Sequence, residues 1–136
     1  MLAISKRRRR LIVKAGFGTA RLGDIRNHAL FIVRVINTGE RAVTVSEVEW
    51  VAESHSLVLD VLRHSYGRDL PVQVQPDDEV RILFDADAAA RALIGRELPP
   101  TRIRVYASGR KRPWELAISE ETRLEAQDHI AGHNGR

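Results

Sequence analysis

Along most of this chain, hydrophobic and polar residues alternate with a period of two in short runs separated by turn-forming residues, the pattern of half-buried β-strands. The strongest run is His28–Asn37, HALFIVRVIN. Phe31, Val33 and Val35 share one face, opposite Arg34, while Leu30, Ile32 and Ile36 fall on the arginine's side. Both faces are therefore expected to be covered to some degree, which predicts a central strand. Asn37-Thr38-Gly39-Glu40 supplies a residue tolerant of positive φ followed by a glycine, a tight-loop signal. The next run, Arg41–Val51 (RAVTVSEVEWV), breaks its own period. Val43 and Val45 point one way, Val48 and Trp50 the other, so either both faces are semi-buried or a bulge near Ser46-Glu47 shifts the register.

Similar units extend on both sides. Leu11–Thr19 predicts a first strand, weakened at its far end by Gly16 and Gly18, with a polar connection RLGDIRN after it. Ser56–Leu62 predicts another, with Leu57, Leu59 and Val61 inward, although its apolar run also suits a helical turn. After the loop RHSYGRD, Leu70–Val74 predicts a short strand whose Pro71 points to a sheet edge. A turn at Gln75-Pro76-Asp77-Asp78 leads into Glu79–Phe84, where Val80, Ile82 and Phe84 alternate with Glu79, Arg81 and Leu83. Asp85-Ala86-Asp87 then reads as the cap of a short helix near 86–95. Two last strands follow Pro99-Pro100. Thr101–Ala107 turns Ile103, Val105 and Ala107 inward and Arg102, Arg104 and Tyr106 outward; Trp114–Ser119 turns Trp114, Leu116 and Ile118 inward. The tip between them, residues 108–113, carries Arg110, Lys111 and Arg112.

The sum is an all-β chain, an antiparallel β-sandwich of about 7–8 strands with one short helix. Its predicted core is Phe31, Val33, Val35, Trp50, Val80, Ile82, Phe84, Ile103, Val105, Trp114 and Leu116. Residues 11–118 form the sandwich domain, residues 1–10 a basic flexible N-terminal tail, and residues 119–136 a polar C-terminal tail. A short helix is expected within that last segment, from the capping-box spacing of Thr122 and Glu125, with Leu124 and Ile130 as anchors. Three segments, FIVRVINTGERAVTVSEVEW, LPVQVQPDDEVRILFDAD and TRIRVYASGRKRPWEL, together resemble a broad group of uncharacterised bacterial proteins with an immunoglobulin-like sandwich. The resemblance covers roughly residues 11–118, is one of pattern, and implies a fold without any transferable catalytic residue. Where that group has Pro-Gly in the turn, this chain has Pro76-Asp77.

Charge alters the first impression of a nucleic-acid binder. The chain of 136 residues has a net charge of +4, but Lys6, Arg7, Arg8, Arg9, Arg10 and Lys14 supply six positive charges with no acid among residues 1–14. The remainder holds 16 basic and 18 acidic residues, so the body is slightly acidic. Cysteine is absent, which removes disulfides, thiolate metal sites and cysteine nucleophiles. The longest apolar stretch, Ala29–Val33, is far short of the roughly 20 residues of a membrane helix. The basic block follows a short apolar start, the reverse of a secretory signal, so a cytoplasmic location is expected.

Candidate chemistry is sparse. Asp77, Asp78, Asp85 and Asp87 match no calcium-loop spacing and suit turn and cap roles. His28, His55, His64, His129 and His133 form no zinc-ligand pattern. The serines lack a nucleophile-elbow context, and GFG at 16–18 lacks the lysine and helix of a phosphate loop. No metal, cofactor or enzymatic activity is expected. What remains is a candidate interaction surface in two parts: the tail residues Lys6, Arg7, Arg8, Arg9 and Arg10, and the hairpin face of Arg102, Arg104, Tyr106, Arg110, Lys111 and Arg112. For that face an ordinary charged sheet surface, with Glu115 pairing to an arginine across the strands, competes with a binding role. The leading expectation is a non-catalytic protein-interaction or assembly domain, with a protein partner or a homo-oligomer. The alternatives are nucleic-acid or anionic-surface binding through residues 6–14, and a virion or tail structural subunit.

Overall fold

The computed structural model describes residues 11–22, 25–52, 56–57, 70–94, 99–109 and 111–134, the side chains of 20–22, 25–28, 56–57 and 133–134 excepted. Predictions that fall on residues 1–10, on 58–62, on the loop 63–69 and on Arg110 lie outside the described residues. Among the described residues the fold is mostly β, two antiparallel sheets with two helices.

The first sheet has the order β1-β2-β6, from Leu11–Leu22 (β1), Ile25–Asn37 (β2) and Glu79–Asp85 (β6). The second has the order β4-β3-β7-β8, from Val43–Val51 (β3), Ser56–Leu57 (β4), Arg102–Ala107 (β7) and Trp114–Ala117 (β8). Val72–Val74 (β5) pairs with the start of β3, beside which it forms an edge. β2 is central, as its two-sided apolar pattern predicts, and its second face buries Leu30 with Leu83 of β6. β1 and β2 run on to Leu22 and from Ile25, so strand pairing occupies much of the expected connection RLGDIRN, with a register shift between Ala20 and Leu22.

The core lies between the sheets. Trp50 sits at its centre, 4.9 Å from the ring of Phe31 and 5.7 Å from that of Phe84, with Phe17 edge-on to Phe31 at 5.0 Å. The broken period of β3 is resolved by a bulge: the pairing with β7 shifts between Val45 and Glu47, and Val43, Val45, Val48 and Trp50 all bury in the one core. One extra residue at Ser46 reverses the parity of everything after it. Trp114 and Leu116, predicted as core, are only half-buried because β8 is a short edge strand paired on one side by β7.

Two helices occur among the described residues, both in segments where the sequence predicts one. Ala86–Ile94 (α1) begins where expected, with the carboxylate of Asp85 accepting from the amide of Ala88 at 3.0 Å as its N-cap. In the polar C-terminal segment the expected short helix is longer, the 15-residue Glu120–Asn134 (α2). Its cap is Ser119, whose hydroxyl accepts from the amide of Thr122 at 3.1 Å; this places Thr122 inside the first turn and displaces the predicted capping box. Of the two expected anchors, Ile130 packs partly buried against the core while Leu124 is 51% exposed, and Ala126 is fully buried. The guanidinium of Arg123 donates to the carbonyl of Pro100 at 2.6 Å, and the ring of His129 stacks on Phe17 at 6.2 Å. Docking through a small residue, a cation and an imidazole leaves little apolar periodicity to read. No helix among the described residues is long and apolar enough to cross a membrane.

Candidate functional site

The strands β3, β7 and β8 turn alternate side chains away from the core, and the register aligns Glu49, Arg104 and Glu115 in one row across them. Glu47 faces Tyr106 in the adjacent row, and Arg102 lies next to the β8 carboxylate. Arg104 Nε donates to Glu115 Oε1 at 2.8 Å, and Arg102 Nη1 to Glu115 Oε2 at 3.2 Å. Arg104 also approaches Glu49 at 3.7 Å, and the Tyr106 hydroxyl donates to the same Glu49 oxygen at 3.0 Å.

These contacts set the electrostatics. The hydrogen bond from Arg104, aided by the charge of Arg102, holds the Glu115 carboxyl below its ordinary range, and the same bond raises the Arg104 guanidinium. Tyr106 is pushed up, first by partial burial and then by its hydrogen bond to the Glu49 carboxylate, so its phenol stays neutral. Arg102 and Arg104 thus face two carboxylates, Glu49 and Glu115, with Glu47 in the adjacent row, on a face the sequence suggested as basic. The cross-strand pairing with Glu115 is the one expected. Glu49 was missed, because only the bulge at Ser46 brings it to the outer face beside Tyr106.

At the hairpin end the network opens into a shallow depression of about 490 Å³ lined by Arg104, Tyr106, Arg112, Pro113 and Glu115. A second, of about 310 Å³, adjoins it through Tyr106 and Pro113 and extends over Thr44, Ser46 and Ser108. Its floor is rigid: the Thr44 amide donates to the Ser108 hydroxyl at 2.9 Å, and the Ser108 amide to the Thr44 carbonyl at 2.9 Å. Lys111 and Arg112 are exposed at the tip. The structure therefore brings together Arg102, Arg104, Tyr106 and Arg112 of the predicted surface. Lys6, Arg7, Arg8, Arg9, Arg10 and Arg110 lie outside the described residues.

Chemically the arrangement offers a rigid aromatic hydroxyl, a partly neutralised arginine pair and an exposed arginine. Among the described residues no cluster of three or more histidine, aspartate or glutamate side chains could hold a metal ion. Comparison with family models, with curated proteins and with solved structures yields no significant match for this chain.

Proposed function

We propose that this chain is an immunoglobulin-like sandwich that acts as a non-catalytic interaction domain, docking a protein partner on the hairpin end of its β3-β7-β8 face. The strand order supports the fold reading in part: β1-β2-β6 opposite β3-β7-β8 follows the order A-B-E opposite C-F-G of such sandwiches, with β4 added at one edge and β5 paired to β3 where a fourth strand would join the first sheet. The observation that carries the functional reading is the pair of adjoining depressions around Tyr106, rimmed by Arg112 and Pro113. Tyrosine and arginine are enriched at protein interfaces, where a rigid amphipathic ring loses little entropy on contact. Glu49 and Glu115 hold Tyr106 and Arg104 in place before any partner arrives.

A photo-crosslinking residue at position 112, compared with one at the remote position 91 on α1, tests this in the source cell. The expected result is a discrete adduct from position 112 that disappears in Tyr106→Ala. Equal, diffuse labelling from both positions, with a monomer by light scattering, overturns the reading.

A second reading, binding of an anionic surface through residues 6–14, rests on the six basic residues there, unaccompanied by acid. Gel shifts and vesicle binding with the full chain and with residues 1–10 removed test it.

A further inference from the structure

The outer face of the three-stranded sheet carries an arrangement that neither strand pattern nor stability explains. Backbone register places Lys14 of β1 opposite Arg34 of β2, and Arg34 opposite Arg81 of β6. The three cations form one continuous row across the whole sheet. Adjacent strands lie about 4.8 Å apart, so the row is about 10 Å long. Like charges directly opposite one another destabilise a sheet, and here two such pairs occur in succession. One carboxylate compensates: Glu79 binds Arg34 at 2.6 Å and reaches Arg81 at 3.7 Å. Among the described residues, Lys14 makes no ion pair. A net excess of two positive charges is left on the row, with the Arg81 side chain 57% and the Arg34 side chain 41% exposed.

The next row on the same face holds Ile12, Ile36 and Glu79. Ile12, 43% exposed, sits opposite the partly buried Ile36. On the other side of the cations, Gly16 lies opposite Ile32 and Ile32 opposite Leu83; a Cβ at Gly16 would meet nothing within 4 Å, while Ile32 packs with the buried Leu30 and Leu83. The row itself is cationic, flanked by an exposed isoleucine, and free of aromatic rings among the described residues. Single-stranded nucleic acid is bound by stacking on aromatic side chains, which this face does not offer. A plane of anionic head groups with an apolar layer just beneath suits a cationic row beside an exposed isoleucine.

We propose that the Lys14–Arg34–Arg81 row is a docking face for an anionic lipid bilayer, with Ile12 reaching into the head-group layer. This rests on and deepens the reading of residues 6–14 as anion-binding, adding a folded element and a lipid surface as the partner.

The test is co-sedimentation of the full chain with vesicles of phosphatidylcholine alone and of phosphatidylcholine mixed with phosphatidylserine, at low and high salt. The expected result is binding to the mixed vesicles alone, weakened by salt. Lys14→Gln with Arg81→Gln, both exposed positions whose loss leaves the core intact, should weaken it more than tenfold, at roughly fivefold per cation. Glu79→Gln, which frees Arg34, should strengthen it, and Ile12→Ser should weaken it on the mixed vesicles. A chain with Lys6–Arg10 replaced by glutamine separates the two readings. If that replacement abolishes binding while the row variants match the wild type, the tail reading stands and the docking face is wrong. If no anionic vesicle binds, both fail. Binding of duplex DNA that depends on Lys14 and Arg81, without vesicle binding, also overturns the proposal.

Discussion

The backbone amide of Asp77 donates to the carbonyl of Asn37 across 2.7 Å, and the Asn37 amide in turn donates to the carbonyl of Asp78 at 3.0 Å. This exchange locks the turn before β6 to the end of β2. The Asn37 side chain, fully buried, extends the lock: its Nδ2 donates to the carbonyls of Arg41 at 2.8 Å and Val74 at 3.0 Å, and its Oδ1 accepts from the Gly39 amide at 2.9 Å. One amide thus joins β2, the tight loop, β5 and the β6 turn. Replacing it strands three backbone groups away from water, each a penalty of about 1–3 kcal/mol when unpaired. Asn37→Ala is expected to cost about 3 kcal/mol or more in urea unfolding. Asn37→Asp should be no better, since it loses both donors and buries a carboxylate. A loss below about 1 kcal/mol, the net worth of a single hydrogen bond, would show that water reaches these groups.

Asp77 occupies the left-handed region, with φ of 61°, at the third position of a turn closed by the Asp78 amide bonding to the Gln75 carbonyl at 3.1 Å. Only glycine adopts this conformation without steric cost, which is about 1–2 kcal/mol for an ordinary residue and less for aspartate. Asp77→Gly should therefore raise stability, by about 0.5 kcal/mol after the added freedom of the unfolded chain is subtracted. Asp77→Val should lower it by more than 1 kcal/mol, at roughly the full left-handed penalty. Paired denaturation midpoints check both signs. The departure of Pro76-Asp77 from Pro-Gly, visible in the sequence, is thereby a matter of turn strain and leaves the chain path alone.

Strand identity and the central place of β2 were legible, because Phe31, Val33 and Val35 alternate against Arg34 without interruption. The Asp85 cap was legible too, because a short acidic side chain before an alanine run has one common use. The bulge at Ser46 was visible as a fault in the period of β3, yet the choice between a bulge and two buried faces needed the register with β7. Glu49 followed that ambiguity and could not be assigned to the outer face. A helix near α2 and its anchor Ile130 were legible, but its length and docking were not, since Arg123 docks it through backbone carbonyls and Ala126 through its smallness, neither of which marks an apolar stripe. The cationic row is a property of register: Lys14, Arg34 and Arg81 are far apart in sequence and only strand pairing aligns them.

The same bulge makes a deletion prediction. Removing Ser46 takes out the extra residue, so Val43, Val45, Val48 and Trp50 alternate strictly inward while Thr44, Glu47 and Glu49 alternate outward. A cooperative unfolding transition is therefore expected to survive the deletion, and its loss in urea denaturation would mean that the local twist given by the bulge is itself required. Ser46→Ala, which removes only a 3.3 Å bond to the Tyr106 carbonyl, should stay within about 0.5 kcal/mol of the wild type.

Trp50 separates packing from hydrogen bonding at the core centre. Its ring is wholly buried between Phe31 and Phe84, and its indole Nε1 finds no hydrogen-bond partner among the described residues. Trp50→Ala should cost about 3–5 kcal/mol, the usual penalty for emptying an aromatic site. Trp50→Phe removes the unpaired donor along with part of the volume, and relief of about 1–3 kcal/mol offsets much of the cavity. A cost of about 1 kcal/mol is expected for it, read from thermal and urea unfolding. A cost near that of alanine would mean that the indole is bonded.

The network of Arg104, Glu115, Glu49 and Tyr106 gives the outer face a pH response of known sign. Glu115 has its pKa lowered on folding, chiefly by the hydrogen bond from Arg104. Its contribution to stability is therefore present above the unfolded glutamate pKa and is lost as the pH falls through the lower, folded value. Tyr106 has its pKa raised, mainly by desolvation, so its contribution is present below the unfolded tyrosine pKa and is lost as the pH rises through the folded value. Because the face is open to solvent, both effects are small in stability and best read site by site. Carbon NMR titration of the Glu115 carboxyl should show a midpoint below the ordinary range in the wild type and a rise toward it in Arg104→Gln. In Glu49→Gln the Tyr106 hydroxyl keeps a hydrogen-bond acceptor but loses the adjacent negative charge, so its ionisation should move down toward the ordinary phenol value. A Glu115 titration indifferent to Arg104 would mean that the short contact does not persist in solution, and that Arg104 instead stands free to meet a partner.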